Sequence, residues 1–285
     1  MSGNGTNNTC SVGYFEFSAY TPVFLIGFFV NAAALRAFIS IRGSWTSTHI
    51  YMMNLAVADF ALILSLPFRI YDTFFCLPKT YMCTFLMQIH FVNMYASMLT
   101  MTVISGQRYL AIRFPLQVRS RRRKKETAVA VCFIIWALLV AMAVAFHHEN
   151  NPEKLWTCYE RRKDFPLSLK FLILLVLVGF ALPLLIIVFC SAHLIFILLK
   201  KHRSSAERKS LIGIVTTNLI VFLVCYTPIH IAFVVNFLQT VPSDSNWMTE
   251  FLPAHCFLRV SEWISSTNCC FDSISYYFLL KKFYT

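Results

Sequence analysis

The sequence predicts an all-α membrane protein, a bundle of seven transmembrane helices with its N-terminus outside. Three observations predict it. Of 285 residues, 58 % are hydrophobic and only 13 % are charged, where soluble domains carry about 25 % charge. The apolar residues gather into runs of about 20 or more, the length of helix that crosses ~30 Å of hydrocarbon. Positive charge then collects on alternate connections, which marks the cytoplasmic side.

Seven runs can be placed, at 16–40, 49–72, 84–112, 126–146, 167–199, 210–239 and 257–280. They make one domain: residues 1–15 are an extracellular tail, 16–280 the bundle and 281–285 the start of a cytoplasmic tail. Run one has no basic segment before it and no small-residue cleavage site, so it reads as a retained helix rather than a signal peptide. The tail ahead of it carries glycosylation sequons at Asn4 and Asn7, which are usable only on the outside.

Run two holds Asp59 deep in the hydrocarbon and Arg69 further out, on nearly the same face, with Pro67 between them. In run three His90 and Arg108 are 18 residues apart, five full turns or ~27 Å. The stripe His90, Asn93, Met94, Ser97, Met101, Ile104 and Arg108 is therefore one inward face. The connection from Arg113 to Lys125 then carries seven Lys/Arg and no acid. Run four contains Trp136. The outer connection after it is mixed, with Glu149, Glu153, Glu160 and Asp164 offsetting Lys154, Arg161, Arg162 and Lys163. Run five has Lys170 at its outer end and Pro183 inside. The inner connection from Lys200 to Lys209 has five Lys/Arg against Glu207. Run six contains Tyr226, Pro228 and His230, and run seven Arg259, Glu262, Asn268 and Asp272.

The net charge of +12 is concentrated on the inner connections, so it reports membrane orientation and not a nucleic-acid partner. Ionisable side chains inside apolar helices are costly and face the bundle interior, so each is a functional candidate. Arg69, His90, Lys170, His230 and Arg259 all fall in outer halves of helices. Glu262 is the one acid that obviously opposes them, which predicts a vestibule of positive potential. Arginine there would hold a carboxylate or phosphate by charge-assisted hydrogen bonds. Phe91, Tyr95, Tyr226 and Phe233 would line the site for an acyl chain or a flat ring. The expected ligand is an anionic amphiphile of lysophospholipid type, or alternatively a small aromatic or carboxylic acid. Helical register also brings Asp59 and Asp272 near each other mid-membrane, beside Ser97 and Asn268. Pro67, Pro183 and Pro228 each remove a backbone hydrogen bond and permit a kink.

Cys10, Cys83, Cys158 and Cys256 lie in outside-facing segments, where disulfides persist. Cys132, Cys190, Cys225, Cys269 and Cys270 lie within helices as small apolar side chains, and the partner of Cys76 stays open. A multipass transporter is the rival class, but the chain shows no internal repeat and no pair of broken helices in corresponding halves. A membrane enzyme is disfavoured by the lack of Gly-x-Ser-x-Gly and His-Glu-x-x-His; His147-His148-Glu149 has no further metal ligands nearby.

With these elements in place, the motif set resembles that of the rhodopsin-like (class A) G-protein-coupled receptors over nearly the whole chain. Asn31 resembles the helix-one asparagine and "NLAVAD" (Asn54 to Asp59) the helix-two signature. Trp136 and Pro183 match the helix-four tryptophan and helix-five proline. "CYTP" (Cys225 to Pro228) resembles the Cys-Trp-x-Pro hinge, and "DSISYY" (Asp272 to Tyr277) resembles Asn-Pro-x-x-Tyr with Asp for Asn and Ser273 for the proline. "GQRYLAIRFPL" resembles the Asp-Arg-Tyr motif with Gln107 for the acid. "NCCFDSISYYF" and "FVNMYAS" look most like the receptors for lysophospholipids and nucleotides, the group that includes the lysophosphatidylinositol and kynurenic acid receptors.

The resemblance implies a plasma-membrane receptor that activates a heterotrimeric G protein by movement of helix six, without catalysis. Arg108, Pro115, Arg208 and Tyr276 would serve coupling. Neither usual acid restrains Arg108, since Gln107 replaces one and Arg208 stands where a second is sometimes found. The resemblance also implies disulfides Cys83–Cys158 and Cys10–Cys256. It implies no cofactor beyond a sodium ion held by Asp59, Ser97, Asn268 and Asp272 in the inactive state.

Overall fold

The computed structural model describes residues 14–40, 45–114, 124–155, 157–161, 165, 167–200, 205–239 and 247–272. Seven long helices carry the described chain: α1 Tyr14–Ser40, α2 Ser47–Phe75, α3 Tyr81–Arg113, α4 Lys124–Ala145, α5 Leu169–Lys200, α6 Ser205–Gln239 and α7 Trp247–Ser266. A last helical stretch continues α7 from Asn268 to Asp272. In hydrocarbon every backbone N–H and C=O must be satisfied within the chain, which leaves helices as the solution for such runs.

By length and composition five of the seven, α1, α2, α4, α5 and α6, are apolar enough to cross a membrane. The other two, α3 and α7, are more polar because they carry much of the interior: Asn93, Ser97, Thr100, Ser265, Ser266 and Asn268 are all buried. α3 packs against α2, α4, α5, α6 and α7, and so forms the axis of the bundle. The outside is the reverse, with Phe29, Phe133, Leu185 and Leu199 each more than half exposed toward lipid. α7 begins at Trp247, about three turns ahead of the apolar run that starts at residue 257.

The ends and bends have local causes. Thr46 caps α2: His49 N donates to Thr46 Oγ1 at 3.4 Å and the His49 ring accepts from Thr46 N at 3.0 Å, a reciprocal capping box. At the outer end of α2, Cys76 takes a left-handed φ of 44°, and the Asp72 carboxylate accepts from Leu77 N at 2.7 Å. In α5 the turns from Leu174 to Ala181 widen to a π-helix just ahead of Pro183. Pro183 has no N–H to offer the Gly179 carbonyl four residues back, and the wider turns absorb that mismatch. Trp136 Nε1 donates to Asn54 Oδ1 at 2.7 Å and Asn54 Nδ2 to Thr100 Oγ1 at 3.2 Å, which ties α4, α2 and α3 together.

Candidate functional site

A cavity of about 440 Å³ opens in the outer half of the bundle between α3, α4, α5, α6 and α7. Its wall is apolar through most of its depth: Phe91 and Leu99 from α3, Leu139 and Met142 from α4, Leu175 and Val178 from α5, and Phe233 and Phe237 from α6. Lining side chains Leu138 and Val178 are also more than half exposed on the outside of the bundle. The cavity thus reaches the lipid face between α4 and α5. Among the described residues charge is confined to the mouth, at Glu160, Arg161, His255, Arg259 and Glu262.

The mouth is built by the loop between α4 and α5. Cys83 at the start of α3 is joined to Cys158 with sulfurs 2.12 Å apart, and both are buried. This staple holds Tyr159, Glu160 and Arg161 over the bundle, where Leu155 and Arg161 pair in a short bridge. Arg161 Nη2 meets Glu149 Oε2 at 2.9 Å, and Nε donates to Phe165 O at 2.7 Å. Burial would raise the Glu149 carboxyl, but bonds from Ser168 and the charge of Arg161 outweigh it and hold it below its ordinary value. Burial dominates at Arg161, whose guanidinium is pushed down despite Glu149. The pair therefore fixes loop geometry more than it adds stability.

Several expected ligand contacts fall elsewhere. Arg69 does not line the cavity. Its Nη2 lies 2.7 Å from Glu262 Oε2, and its guanidinium sits over the rings of Tyr20 at 4.5 Å and Tyr159 at 5.0 Å. The arginine is consumed by an internal pair because Glu262 on α7 faces it directly. His90 turns to α7, with ring nitrogens 3.3 and 3.4 Å from the Ser265 and Ser266 hydroxyls. Lys170 is exposed and outside the lining; the widened turns of α5 shift the register of everything ahead of Pro183. Tyr226 and His230 lie below the floor. Of the expected set, Tyr95, Arg259 and Glu262 do line the cavity. Arg259 is bonded to Glu16 at the start of α1 and lies 3.6 Å from Glu160. Where a positive vestibule is expected, the described residues carry both signs, with Glu16, Glu149, Glu160 and Glu262 facing Arg69, Arg161 and Arg259. The sequence gives no reason to place Arg161, Glu160 and His255 at the mouth; for Arg161 and Glu160 the signal is the Cys83–Cys158 staple beside them.

The floor connects the cavity to the kink in α6. Tyr95 OH is 3.1 Å from His230 Nε2, and the His230 ring stacks on Phe180 at 4.3 Å. A Cβ on Gly179 would stand 2.5 Å from Tyr95 Cε1, so only glycine lets this tyrosine lie against α5. Two residues on the other side of Pro228, Tyr226 OH accepts from Asn268 Nδ2 at 2.8 Å. The proline hinge is thus tethered above to α3 and below to α7.

Deeper still lies a polar core. Asn93 Nδ2 donates to Asp59 Oδ1 at 3.1 Å, and Asn31 Nδ2 donates to Cys269 O at 2.9 Å. Ser97 Oγ, Asn268 Oδ1, Asp272 Oδ2 and Asn31 Oδ1 are buried without a partner. Orphaned oxygens of this kind suit a hard cation, which takes oxygen ligands. No cluster of three or more His, Cys, Asp or Glu able to hold a metal occurs among the described residues.

At the inner end, Gln107 Nε2 donates to Tyr51 OH at 3.1 Å, which anchors it to α2. Arg108 Nη1 is buried without a partner, in a small space shared with Ser191 of α5 and Asn218 of α6. Arg208 is half-buried on α6. Pro115 and Tyr276 lie outside the described residues, as do Asn4, Asn7 and Cys10. The expected Cys10–Cys256 bridge is corrected: Cys256 is an exposed free thiol on α7. Cys76 is disulfide-bonded instead.

The comparisons with known proteins agree with this geometry. Residues 30–276 match the family of 7 transmembrane receptors of the rhodopsin type. Human G-protein coupled receptor 35 is 34 % identical over 297 residues, which cover 98 % of this chain and 91 % of the relative. Human G-protein coupled receptor 55 is 32 % identical over 94 % of this chain and 86 % of its own length. Mouse lysophosphatidic acid receptor 4 is 30 % identical over 99 % of this chain and 80 % of its own. The chain belongs to the rhodopsin family of seven-transmembrane receptors, multi-pass proteins of the plasma membrane that signal rather than catalyse.

Proposed function

We propose that this receptor senses a single-chain amphiphile bearing an anionic group and couples it to a heterotrimeric G protein. The observation that carries the reading is the cavity itself, a long apolar wall with charge only at its mouth. An acyl chain buried there gains roughly 0.8 kcal/mol per methylene removed from water. The anionic group would meet Arg161 and Arg259, whose forked donors can serve an acid and a ligand together. The name of one relative, lysophosphatidic acid receptor 4, supports a lipid of this class. A small aromatic acid would leave the α4–α5 side of the cavity unfilled.

A ligand resting on Tyr95 touches the group that tethers the hinge. Shifting Tyr95 would loosen His230 and free α6 to bend at Pro228, so that its inner half swings from Arg108 and opens the coupling face at Arg108 and Arg208. Two packings that differ by a few kcal/mol make such an element a switch. The orphaned oxygens of Ser97, Asn268 and Asp272, with Asp59, support a sodium ion that favours the resting packing. Sodium should then weaken agonist binding in the wild type and not in Asp59→Asn; equal affinity with and without sodium in both would remove the ion.

The reading is tested by G-protein activation in cells expressing the chain, screened with single-chain phospholipids of differing head groups. Arg161→Ala and Arg259→Ala should each raise the half-maximal concentration about tenfold or more at matched surface expression, a loss of at least about 1.4 kcal/mol. Wild-type responses in both variants would defeat the assignment of these arginines.

A further inference from the structure

The charges at the cavity mouth come in both signs, and one of the acids is held more loosely than the rest. Glu262 is bonded to Arg69 at 2.7 Å, Glu149 to Arg161 at 2.9 Å and Glu16 to Arg259. Glu160 differs. Its Oε1 lies 3.6 Å from Arg259 Nε and 3.7 Å from His255 Nε2, both longer than a charge-assisted hydrogen bond. Among the described residues the guanidiniums of Arg69, Arg161 and Arg259 share this mouth with the carboxylates of Glu16, Glu149, Glu160 and Glu262, so a head group meets charge of both signs. Glu160 also lines the cavity beside Arg161 and Arg259, with less than a quarter of its side chain exposed. A partly desolvated carboxylate without a short donor is stabilised by any cation brought to it.

We propose that the ligand's head group is zwitterionic, a phosphate held by Arg161 and Arg259 and an ammonium held by Glu160, on a single acyl chain. The proposal rests on the amphiphile reading above and adds the ammonium. Both partners of the head are available within one small region: Glu160 and Arg161 are chain neighbours, and Arg259 reaches Glu160 across the mouth. Opposite charges a few atoms apart in the ligand match opposite charges a few atoms apart in the protein. A primary ammonium has three donors and can satisfy Glu160 directly. Seating it displaces nothing stronger than two ion pairs of 3.6 and 3.7 Å, whereas a lone phosphate would bring a further negative charge up to a loosely held carboxylate.

The experiment compares oleoyl lysophosphatidylethanolamine with oleoyl lysophosphatidic acid, which share a tail and differ by the ammonium. Each is applied to cells expressing the full chain, with surface expression measured and a panel of G proteins as readout. The ethanolamine lipid should be about tenfold or more the more potent in the wild type. Glu160→Gln should bring the potency ratio near one, and Glu160→Asp, which keeps the charge, should retain most of it. Equal or greater potency of lysophosphatidic acid in the wild type overturns the ammonium site while leaving the amphiphile reading in place. A ratio that survives in Glu160→Gln also overturns it. Silence to both lipids at normal surface expression overturns the two readings together.

Discussion

Glu262→Ala should destabilise the receptor more than removal of any arginine that lines the cavity. Arg69 is 8 % exposed, lies between two tyrosine rings and has Glu262 as its acid partner at 2.7 Å. Removing the acid leaves a buried guanidinium without compensation. Breaking such a pair costs about 3–5 kcal/mol, whereas replacing both members with apolar side chains of similar volume is often neutral. The double variant Arg69→Met/Glu262→Met should therefore recover most of what Glu262→Ala loses. Thermal unfolding of the purified receptor in detergent provides the measurement. For a chain of this size each kcal/mol moves the midpoint by about 2–4 °C, so a fall of roughly 10 °C is expected. A Glu262→Ala midpoint equal to that of the wild type would show that the pair is not holding the bundle.

Gly179→Ala should act on signalling as well as on stability. The added methyl would stand 2.5 Å from Tyr95 Cε1, far inside van der Waals contact. The ring cannot rotate away at no cost, because its hydroxyl is bonded to His230 and His230 is stacked on Phe180. Overpacking of this kind costs about 1–3 kcal/mol. The tyrosine must leave its place, so the tether above Pro228 is lost even if the fold survives. Agonist-stimulated activation should fall several-fold or disappear while surface expression drops less. Gly179→Ala combined with Tyr95→Leu should regain thermal stability without regaining the response. A single variant that signals and melts as the wild type does would mean that the Tyr95 contact carries no information.

The bundle and its polar interior were legible because the bilayer imposes a simple code. Long apolar runs report helices, and a charge inside one reports the inward face. That logic located Asp59, Asp272, Arg108 and Arg69 without any coordinates. What an inward charge meets is a different matter. Arg69 and Glu262 both face the interior by register, yet single-helix register cannot settle that they meet each other. Lys170 was misplaced because it lies ahead of the π-helical turns of α5, and an extra residue per turn rotates a side chain by about 100°. Of the mouth residues, Glu160 and Arg161 belong to a loop whose course depends on tertiary folding rather than on period, while His255 lies on α7 ahead of its apolar run. Only the Cys83–Cys158 staple tied that loop to the bundle in advance. The Cys10–Cys256 bridge was inferred from family likeness alone, and it is there that the structure departs from the expectation.

The hydrogen bond from Gln107 to Tyr51 sets a condition on how the receptor rests. An acid beside Arg108 would hold the guanidinium by charge and would release it on taking up a proton. An amide neither gains nor loses a proton at any physiological pH, and its bond to the Tyr51 hydroxyl persists through the whole range. At this position the passage from resting to active packing is therefore not linked to proton uptake from the cytoplasm. Acidification of the cell interior therefore finds no titrating group at position 107, and the Gln107–Tyr51 bond holds its partner without acting as a pH switch.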